Sequence, residues 1–432
     1  MRDIIFIIAF ACIAFYSFKK PFIGVSMWLW IALFFPKGWV FGFASNIRYN
    51  LILAIITIVS YILMNGKPRT QLNSITVVIV IFLIWTLIST IFTIGIPSLV
   101  WPEWIEFLKI ITLYVLGTLT IRTTNQVNTV IWAIALSVGA YSFIEGLKYI
   151  SSGGGHILEG MPTHILGDRN DLAVAINMTI PLIIYLSKIT TNKWVKIGLY
   201  AMIVLCAISV LGSGSRGGFI GMFVILAYFW FFSKRKILYA VLAPLVFYSA
   251  LSVMPEQWHK RMDTIESAST DSSFLGRVLA WKQAVLIASD NVTGAGFKVG
   301  QMNVIWKIYD PHHEFSWIID TSSIHVDLAK AAHSIYFQVL GDHGFIGLFL
   351  FMNICFLSIV KIRAVNINLK NYDSQHEFSK LSSMVYLSLV AYFVSGAAVS
   401  LAYFDLFYIL LALVVVLNNH SENLRDNKRP LA

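Results

Sequence analysis

Arg216 is a charged residue placed where the chain should be embedded in lipid. It stands in the run Leu211-Gly-Ser-Gly-Ser-Arg-Gly-Gly-Phe219, between two apolar segments. An arginine in the middle of a membrane helix costs roughly 2.5–3.5 kcal/mol, so such residues usually mark a site for a charged ligand. The flanking glycines allow a tight turn and bring backbone N–H groups close to that ligand. The pattern predicts an anion, with phosphate as the candidate, bound at the membrane face.

Arg277 is a second candidate for anion binding. It follows the acidic, serine-rich run 266–273 and opens a segment whose apolar residues have helical spacing, namely Val278, Trp281, Val285 and Ala288. We expect Arg277 in the first turn of this helix, near free N–H groups that also attract anions. Together, Arg216 and Arg277 would form a bidentate clamp suited to a diphosphate. Pairing of Arg277 with nearby acids, and snorkelling of Arg216 to the interface, are the alternatives. The glycine-rich turn 294–300 is a weak signal by itself.

His333 is the candidate proton acceptor. It opens the segment 332–344, in which Tyr336 and Phe337 follow one turn later and Leu340-Gly341 should end a short helix. A histidine that is neutral near pH 7 can take a proton from a hydroxyl. Capping or packing is the alternative role for His333, and His343 is a second candidate base.

Two further clusters have polar residues of the right types for a site. Asp168, with Asn170 and Asp171, is a good N-cap for the apolar segment that follows, while Arg169 and the acids could instead shape a site or orient an acceptor. His312, His313, His325 and Asp327 match no standard zinc spacing, so we expect no metal.

The composition identifies a polytopic membrane protein. The 432 residues are 57% hydrophobic and 12% charged, with a mean hydropathy of +0.74, whereas a soluble domain carries about 25% charged residues. Three cysteines in apolar runs indicate lone thiols rather than disulfides, and the first apolar run reads as a retained helix. We predict an all-α fold with about 12–14 transmembrane helices, from apolar segments near 4–18, 22–35, 47–64, 75–94, 104–121, 127–150, 172–187, 194–212, 217–232, 236–254, 344–360, 379–399 and 401–418.

The distribution of lysine and arginine predicts the orientation. Most of these residues lie in one set of loops, which is therefore cytoplasmic. Arg216 and the polar stretches 151–171 and 255–343 then lie on the outer side, where no ATP is available and a substrate must arrive activated. The predicted domains are a transmembrane bundle (1–254), a helical outer-side subdomain (255–343), further transmembrane helices (344–418) and a cytoplasmic tail (419–432), which we expect to be disordered.

An ordered series of motifs runs through nearly the whole chain: Met27-Trp-Leu-Trp30, Phe41-Gly-Phe-Ala44, Gly153-Gly-Gly-His156, Gly167-Asp-Arg-Asn-Asp-Leu-Ala173, the Arg216 run, 254–265, Gly276-Arg277, Gly294-Ala-Gly-Phe297, Tyr309-Asp-Pro311 and 332–344. In combination they resemble the O-antigen ligase/polymerase superfamily, most closely the O-glycosylation ligases associated with exosortase systems. Two positions depart from the family pattern, which often has Asn where this chain has Ser334 and Glu where it has Asp342.

The resemblance implies a GT-C-like glycosyltransferase of the bacterial inner membrane with a periplasmic active site. Its donor would be a glycan on undecaprenyl diphosphate, and its acceptor a hydroxyl on lipid A–core, on a protein or on another glycan. The resemblance implies no cofactor, and the partners expected besides the donor and the acceptor are membrane lipids, with no nucleic acid. By motif position, Arg216 and Arg277 would bind the diphosphate and His333 would be the catalytic base, with Asp168, Arg169 and Tyr336 at the substrate site.

Three other functions stay open at this point. A glycan polymerase would use the same donor with a second lipid-linked glycan as acceptor. A transporter of the same lipid would hold its charged residues near the bilayer midplane and show repeat symmetry. A structural scaffold has no need for this combination of two arginines and a histidine. The grouping of the candidates at one face favours an enzyme.

Overall fold

The computed structural model describes residues 2–67, 73–237, 272–321, 328–372 and 377–427. Within these ranges the chain forms helices and helical turns but no strand, as expected where the lipid cannot hydrogen-bond to an open backbone. The helices are α1 (Arg2–Lys19), α2 (Pro21–Phe34), α3 (Tyr49–Leu63), α4 (Ser74–Ile91), α5 (Pro97–Thr120), α6 (Thr124–Ile134), α7 (Ala140–Ser151), α8 (Arg169–Ile189), α9 (Lys193–Gly212), α10 (Arg216–Phe232), α11 (Ser272–Asp290), α12 (Asn303–Ile308), α13 (Ile335–Tyr372), α14 (Glu377–Ser395) and α15 (Asp405–Asn427).

Several of these helices can cross a membrane. By length and composition, six described segments qualify: α4, the continuous segment Thr124–Ser151, α8, α9, the part Ile335–Asn371 of α13, and Glu377–Ala398, which contains α14. The helices α2, α3 and α10 are apolar but shorter. The protein is therefore an all-α polytopic membrane protein, as the composition predicts. The expected segment 236–254 falls almost wholly outside the described residues. The tail was predicted wrongly in part, because α15 continues as a helix through Asn427.

The centre of the helix bundle is formed by α8, α14 and α15. Every side chain from Leu406 to Leu417 in α15 is at most 4% exposed. The antiparallel pair α8 and α14 is joined in its middle, where the Ser388 hydroxyl donates to the Met178 carbonyl at 2.7 Å. At the far end, the Tyr185 hydroxyl lies 3.4 Å from a carboxylate oxygen of Glu377. These bonds fix the register of α8 and α14, and so the relative position of their opposite ends.

Small residues bring α10 against α8 and α14. A side chain at Gly218 would lie 2.7 Å from the Ala173 Cβ, and one at Gly221 would lie 1.9 Å from the Ser395 hydroxyl. The Asn177 amide also donates to the Gly218 carbonyl at 2.8 Å. Small residues allow this close approach between membrane helices. The first turns of α8 and α10 therefore lie side by side.

The segment between α10 and α13, which the sequence predicts to lie on the outer side and which we call the outer segment, contains the predicted helix, but not with the predicted boundaries. Because α11 extends from Ser272 to Asp290, Arg277 lies more than one turn inside it, and the expectation of a first-turn position is wrong. Nor is α11 a simple amphipathic helix, since Lys282 and Gln283 are also buried. The Lys282 ammonium group donates to the Ile319 carbonyl and the Thr321 hydroxyl, both at 2.8 Å.

A break in α13 divides the outer segment from the membrane portion of the helix. Gly344 has φ +67° and ψ −171°, so the helix is interrupted here and not at Gly341, as the sequence suggested. The glycine-rich turn holds this break, because the N–H groups of Ala295 and Gly296 donate to the carbonyls of Gly341 and Asp342 at 3.0 and 2.8 Å. The turn 294–300 therefore has a structural role at this point.

Candidate functional site

The backbone at His333 has an unusual conformation. Its φ is +43°, a left-handed value that is uncommon for residues other than glycine and that clusters at functional sites. The residue precedes α13 instead of opening it, and its N–H donates to the Ser400 hydroxyl at 2.9 Å. Ser400 belongs to the turn between α14 and α15, so the end of one helix hairpin holds the candidate base in place.

The other flank of His333 is held from α11. The Trp281 indole N–H donates to the carbonyl of Ala332 at 2.6 Å, and the Trp281 ring stacks on Phe337 with centroids 5.0 Å apart. A rigid aromatic side chain thereby fixes the peptide unit that leads into His333. Both the carbonyl before this residue and its own N–H are engaged, which limits the movement of the imidazole to its side-chain torsions.

Charged side chains from three elements act on the half-buried imidazole. Burial lowers the pKa of His333 below its ordinary value of 6.5, the positive charges of Arg277 and Lys330 lower it further, and Asp168 opposes them. A lowered pKa keeps the imidazole neutral near pH 7, in the form that can accept a proton. Asp171 lies within electrostatic range of both Asp168 and Arg277. The start of α8, the second turn of α11 and the loop before α13 thus meet around His333.

Arg216 is the first residue of α10 and is half-buried. It is therefore at a helix boundary rather than a helix centre, with the Ser215 hydroxyl capping the helix by accepting from the Gly218 N–H at 3.1 Å. A side chain at Gly217 would lie 2.8 Å from the Ala398 Cβ. Since Ala398 lies in the same turn as Ser400, the start of α10 lies beside the turn that holds His333.

The remaining predicted site residues have defined structural contacts. Asp168 caps α8, as its residue type suggested, by accepting from the Asn170 N–H at 2.7 Å, and Arg169 is the half-buried first residue of that helix. The Tyr336 hydroxyl donates to the Phe393 carbonyl at 2.8 Å, so it already has a partner within the protein. Asp168 is thereby near His333, while the side chain of Tyr336 is directed towards α14.

Part of the histidine-rich stretch of the outer segment lies outside the described residues. The His312 ring contacts the Asp310 carboxylate and His313 is exposed, whereas His325 and Asp327 lie outside the described residues. Across the described part of the chain, no group of three or more His, Cys, Asp or Glu side chains could hold a metal ion.

Sequence reasoning did not identify Ser400, Trp281 as an anchor, or Lys330. Ser400 falls between two predicted spans and has no distinguishing neighbours, and Trp281 was assigned to an apolar helix face. Lys330 is one of several exposed lysines. Only the chain fold brings these residues to His333, because the contact of Ser400 with His333 spans 67 residues and that of Trp281 with Ala332 spans 51.

Comparison with known proteins identifies the class. Residues 201–352 match the family described as O-antigen ligase, and this match includes Arg216, Arg277 and His333. Residues 1–191, which include Asp168 and Arg169, match a family of unknown function, DUF5935. No curated protein matches the chain.

An all-α polytopic membrane protein with this domain is a glycosyltransferase-like enzyme of the ligase/polymerase type. The O-antigen ligase domain at residues 201–352 supports a place for the chain in the O-antigen ligase superfamily. The family implies a lipid-linked glycan as donor together with an acceptor.

Proposed function

We propose that the protein transfers a glycan from undecaprenyl diphosphate to an acceptor hydroxyl, on lipid A–core or on a protein, as an O-antigen ligase or O-glycosylation ligase does. The observation that carries this proposal is the meeting of Arg277, Asp168 and the pKa-lowered His333 within and beside the O-antigen ligase domain. A base next to cationic side chains is what transfer from a diphosphate to a hydroxyl requires.

The proposed reaction is a single displacement. The acceptor oxygen attacks the anomeric carbon, the bond from that carbon to the diphosphate oxygen breaks, and the acceptor proton passes to His333. Attack from the side opposite the leaving group inverts the anomeric configuration. The fixed backbone on both sides of His333 supports this role, because a general base must be held within hydrogen-bonding reach of the proton it takes.

Arg277 and Arg216 are proposed to bind the diphosphate. Negative charge builds on the leaving group as the bond breaks, and fixed guanidinium groups stabilise it. Arginine suits this role because its planar fork binds two phosphate oxygens at once. Two fixed cations supply this charge without a metal ion or another cofactor. The first turns of α8 and α10, which lie side by side, add N–H groups that favour an anion at the same end of the bundle.

The proposed location of the site is the periplasmic face of the bacterial inner membrane. The stretches rich in lysine and arginine at 188–196, 234–236 and 361–370, the last of them the C-terminal part of α13, lie at the opposite ends of the helices from Asp168, Arg216 and His333. The outer segment within 255–343 would then be a periplasmic subdomain between the two transmembrane regions 1–254 and 344–418. The energy for transfer comes from the activated diphosphate–sugar bond, so no nucleotide is needed at this face.

The same arrangement favours an enzyme over a transporter. A transporter places its charged residues near the bilayer midplane, whereas Asp168, Arg216 and Arg277 lie at helix starts or in the outer segment. A polymerase would use the same machinery with a second lipid-linked glycan as acceptor. The acceptor thus decides between ligase and polymerase.

The arginine variants test the mechanism. Arg277→Lys and Arg216→Lys keep the charge but lose the fork, so each should reduce transfer by roughly 10²–10³-fold in a reconstituted assay with the lipid-diphosphate glycan. Lys307→Arg, an exposed change on α12, serves as the control. Near-normal transfer by both lysine variants, with the control also normal, would show that these arginines do not bind the diphosphate.

Deletion of the gene identifies the acceptor. Loss of glycan-capped lipid A–core indicates a lipid ligase, and loss of glycan from proteins indicates an O-glycosylation ligase. Glycan chains that are shorter but still attached to their carriers would contradict the ligase assignment in favour of a polymerase.

A further inference from the structure

The short helix α12 has one buried face and one exposed face, and the exposed face is apolar. On the inner side, Trp306 is buried and packs against Leu279 and Ala280 of α11. On the other side, Val304 and Ile308 are 67% and 66% exposed. Because residues four apart lie on the same face of a helix, these two side chains form one apolar surface that is turned away from α11.

The start of α12 lies where a spanning helix leaves the membrane. The chain just before α12 contacts the turn between α4 and α5, because the Ile94 N–H donates to the Ala295 carbonyl at 3.2 Å. A side chain at Gly95 would lie 3.3 Å from the Met302 sulfur, and Met302 directly precedes α12. Since α4 is long and apolar enough to cross a membrane, the turn that follows it marks a membrane surface. The helix α12 therefore begins at the level of that surface.

The end of α12 lies beside a second such point. The Asn291 amide donates to the hydroxyl of Tyr309, the residue that follows α12, at 2.8 Å. The next residue, Val292, is 67% exposed, and its carbonyl oxygen lies 2.4 Å from where a Cβ of Gly344 would be. Gly344 is the break from which the membrane portion of α13 starts. Both ends of α12 are therefore held at places where the chain enters or leaves the membrane.

The exposed face of α12 continues the apolar surface of the spanning helices. Large apolar side chains are exposed around the α4–α5 turn and on α13 just after its break, namely Ile91, Phe92, Ile96, Leu99, Phe345 and Phe349. Soluble monomers rarely expose a contiguous apolar patch of more than about a few hundred Å², and larger patches mark contacts with a membrane or a protein. Continuity with helices that cross the membrane indicates that lipid covers α12 as well.

We propose that the exposed face of α12, together with Val292, lies in the adjacent leaflet of the bilayer, against the lipid headgroups and the upper part of the acyl chains. Helices that lie in the interface bury their apolar face by roughly 5–10 Å. Through the contacts of Trp306 with α11, this arrangement holds α11 close to the headgroup layer. The proposal goes beyond glycan transfer and does not depend on it, since it concerns only which surface of the outer segment contacts lipid.

Fluorescence quenching in nanodiscs of phosphatidylethanolamine and phosphatidylglycerol tests the proposal. In a Cys12→Ser background, where the other two cysteines are buried, Ile308→Cys carries a small fluorophore. A phospholipid with a nitroxide high on its acyl chain should quench this label as strongly as one at Phe345→Cys on α13. It should quench a label at Glu314→Cys, an exposed polar position of the outer segment, severalfold less. Iodide in the aqueous phase should quench the three labels in the reverse order.

A second substitution tests whether the face itself enters the lipid. Val304→Gln places a polar group one turn from the label without disturbing the core, because Val304 is exposed. It should weaken quenching of the Ile308 label by the lipid nitroxide and increase quenching by iodide. Lipid quenching that Val304→Gln leaves unchanged, or an Ile308 label as open to iodide as the one at Glu314, would overturn the proposal. A label that loses its access to iodide only when the lipid-linked glycan is added would also overturn it, by assigning the face to the polyprenyl chain of the donor.

Discussion

His333 and His343 lie ten residues apart in one segment, yet their surroundings differ in nearly every respect. His333 is half-buried and has a left-handed backbone, with Arg277, Lys330 and Asp168 acting on its imidazole. Its environment is charged and partly open to solvent.

His343 is fully buried among aromatic rings. Its ring lies 4.6 Å from that of Phe297, centroid to centroid. One ring nitrogen is 2.9 Å from the Ser89 hydroxyl, and its carbonyl accepts from the Trp85 indole at 2.9 Å. This histidine joins α4 to α13 just before the break at Gly344.

The difference teaches that one short segment combines two tasks. Its first residues present the proposed base, whose proton affinity is influenced by neighbouring charges, and its last residues fix that segment to the bundle. A histidine becomes a candidate for chemistry through its access and its charged neighbours, and a residue type alone does not distinguish the two roles.

The largest expected effect is on the rate of transfer, after substitution of the half-buried His333. His333→Ala removes the proposed base and should lower the transfer rate by roughly 10²–10⁴-fold, while donor binding persists through the arginines. Its thermal stability should change little, since the imidazole is only half-buried. Transfer and donor binding are measured on one preparation, with the exposed His313→Ala variant as the control. Full activity of His333→Ala, or loss of donor binding together with transfer, would contradict the assignment of His333 as the base and so its difference in role from His343.

Substitution of the buried His343 should lower the stability of the protein rather than its rate of transfer. His343→Ala empties a packed site and removes the contact with Ser89, and large-to-small substitutions in cores cost roughly 2–5 kcal/mol. The detergent-solubilised variant should unfold at a lower temperature, and its transfer activity per folded molecule should stay near normal. A variant of normal stability that transfers no glycan would mean that the base had been assigned to the wrong histidine.

The smallest expected effect is a shift in the pH dependence of transfer, which tests the charged neighbours of His333. Because the pKa of His333 is lowered, the neutral base persists below pH 6.5 and activity should fall only at lower pH. Lys330→Gln removes a positive charge, which should raise this pKa and shift the acid limb of the pH–rate profile to higher pH. Asp168→Asn removes a negative charge, which should lower this pKa and shift the acid limb to lower pH. Asparagine can still cap α8. Identical acid limbs in wild type and both variants would show that these charges do not act on the base.

Much of the fold was predictable because lipid restricts the backbone to helices. The apolar runs 172–187 and 194–212, for example, coincide with α8 and α9. The helix interruptions were harder to predict. Gly341 and Gly344 look alike in the sequence, but only Gly344 meets the carbonyl of Val292, 2.4 Å from where its Cβ would be. Such a contact depends on a distant turn and leaves no local signal.

The candidate site was predictable only for residues whose type is out of place. Arg216 in an apolar run and the capping Asp168 have local signals. Ser400 has none, because a serine in a short turn is ordinary until the fold brings it to the His333 N–H.

The bonds between α4 and α13 have a consequence for biosynthesis. Trp85 and Ser89 bind backbone carbonyls that are 258 and 253 residues later in the chain. A nascent chain therefore carries these polar groups of α4 without their final partners while most of the protein is still being made. The segment that holds His333 can be joined to α4 only when translation has passed His343, so this part of the protein assembles late.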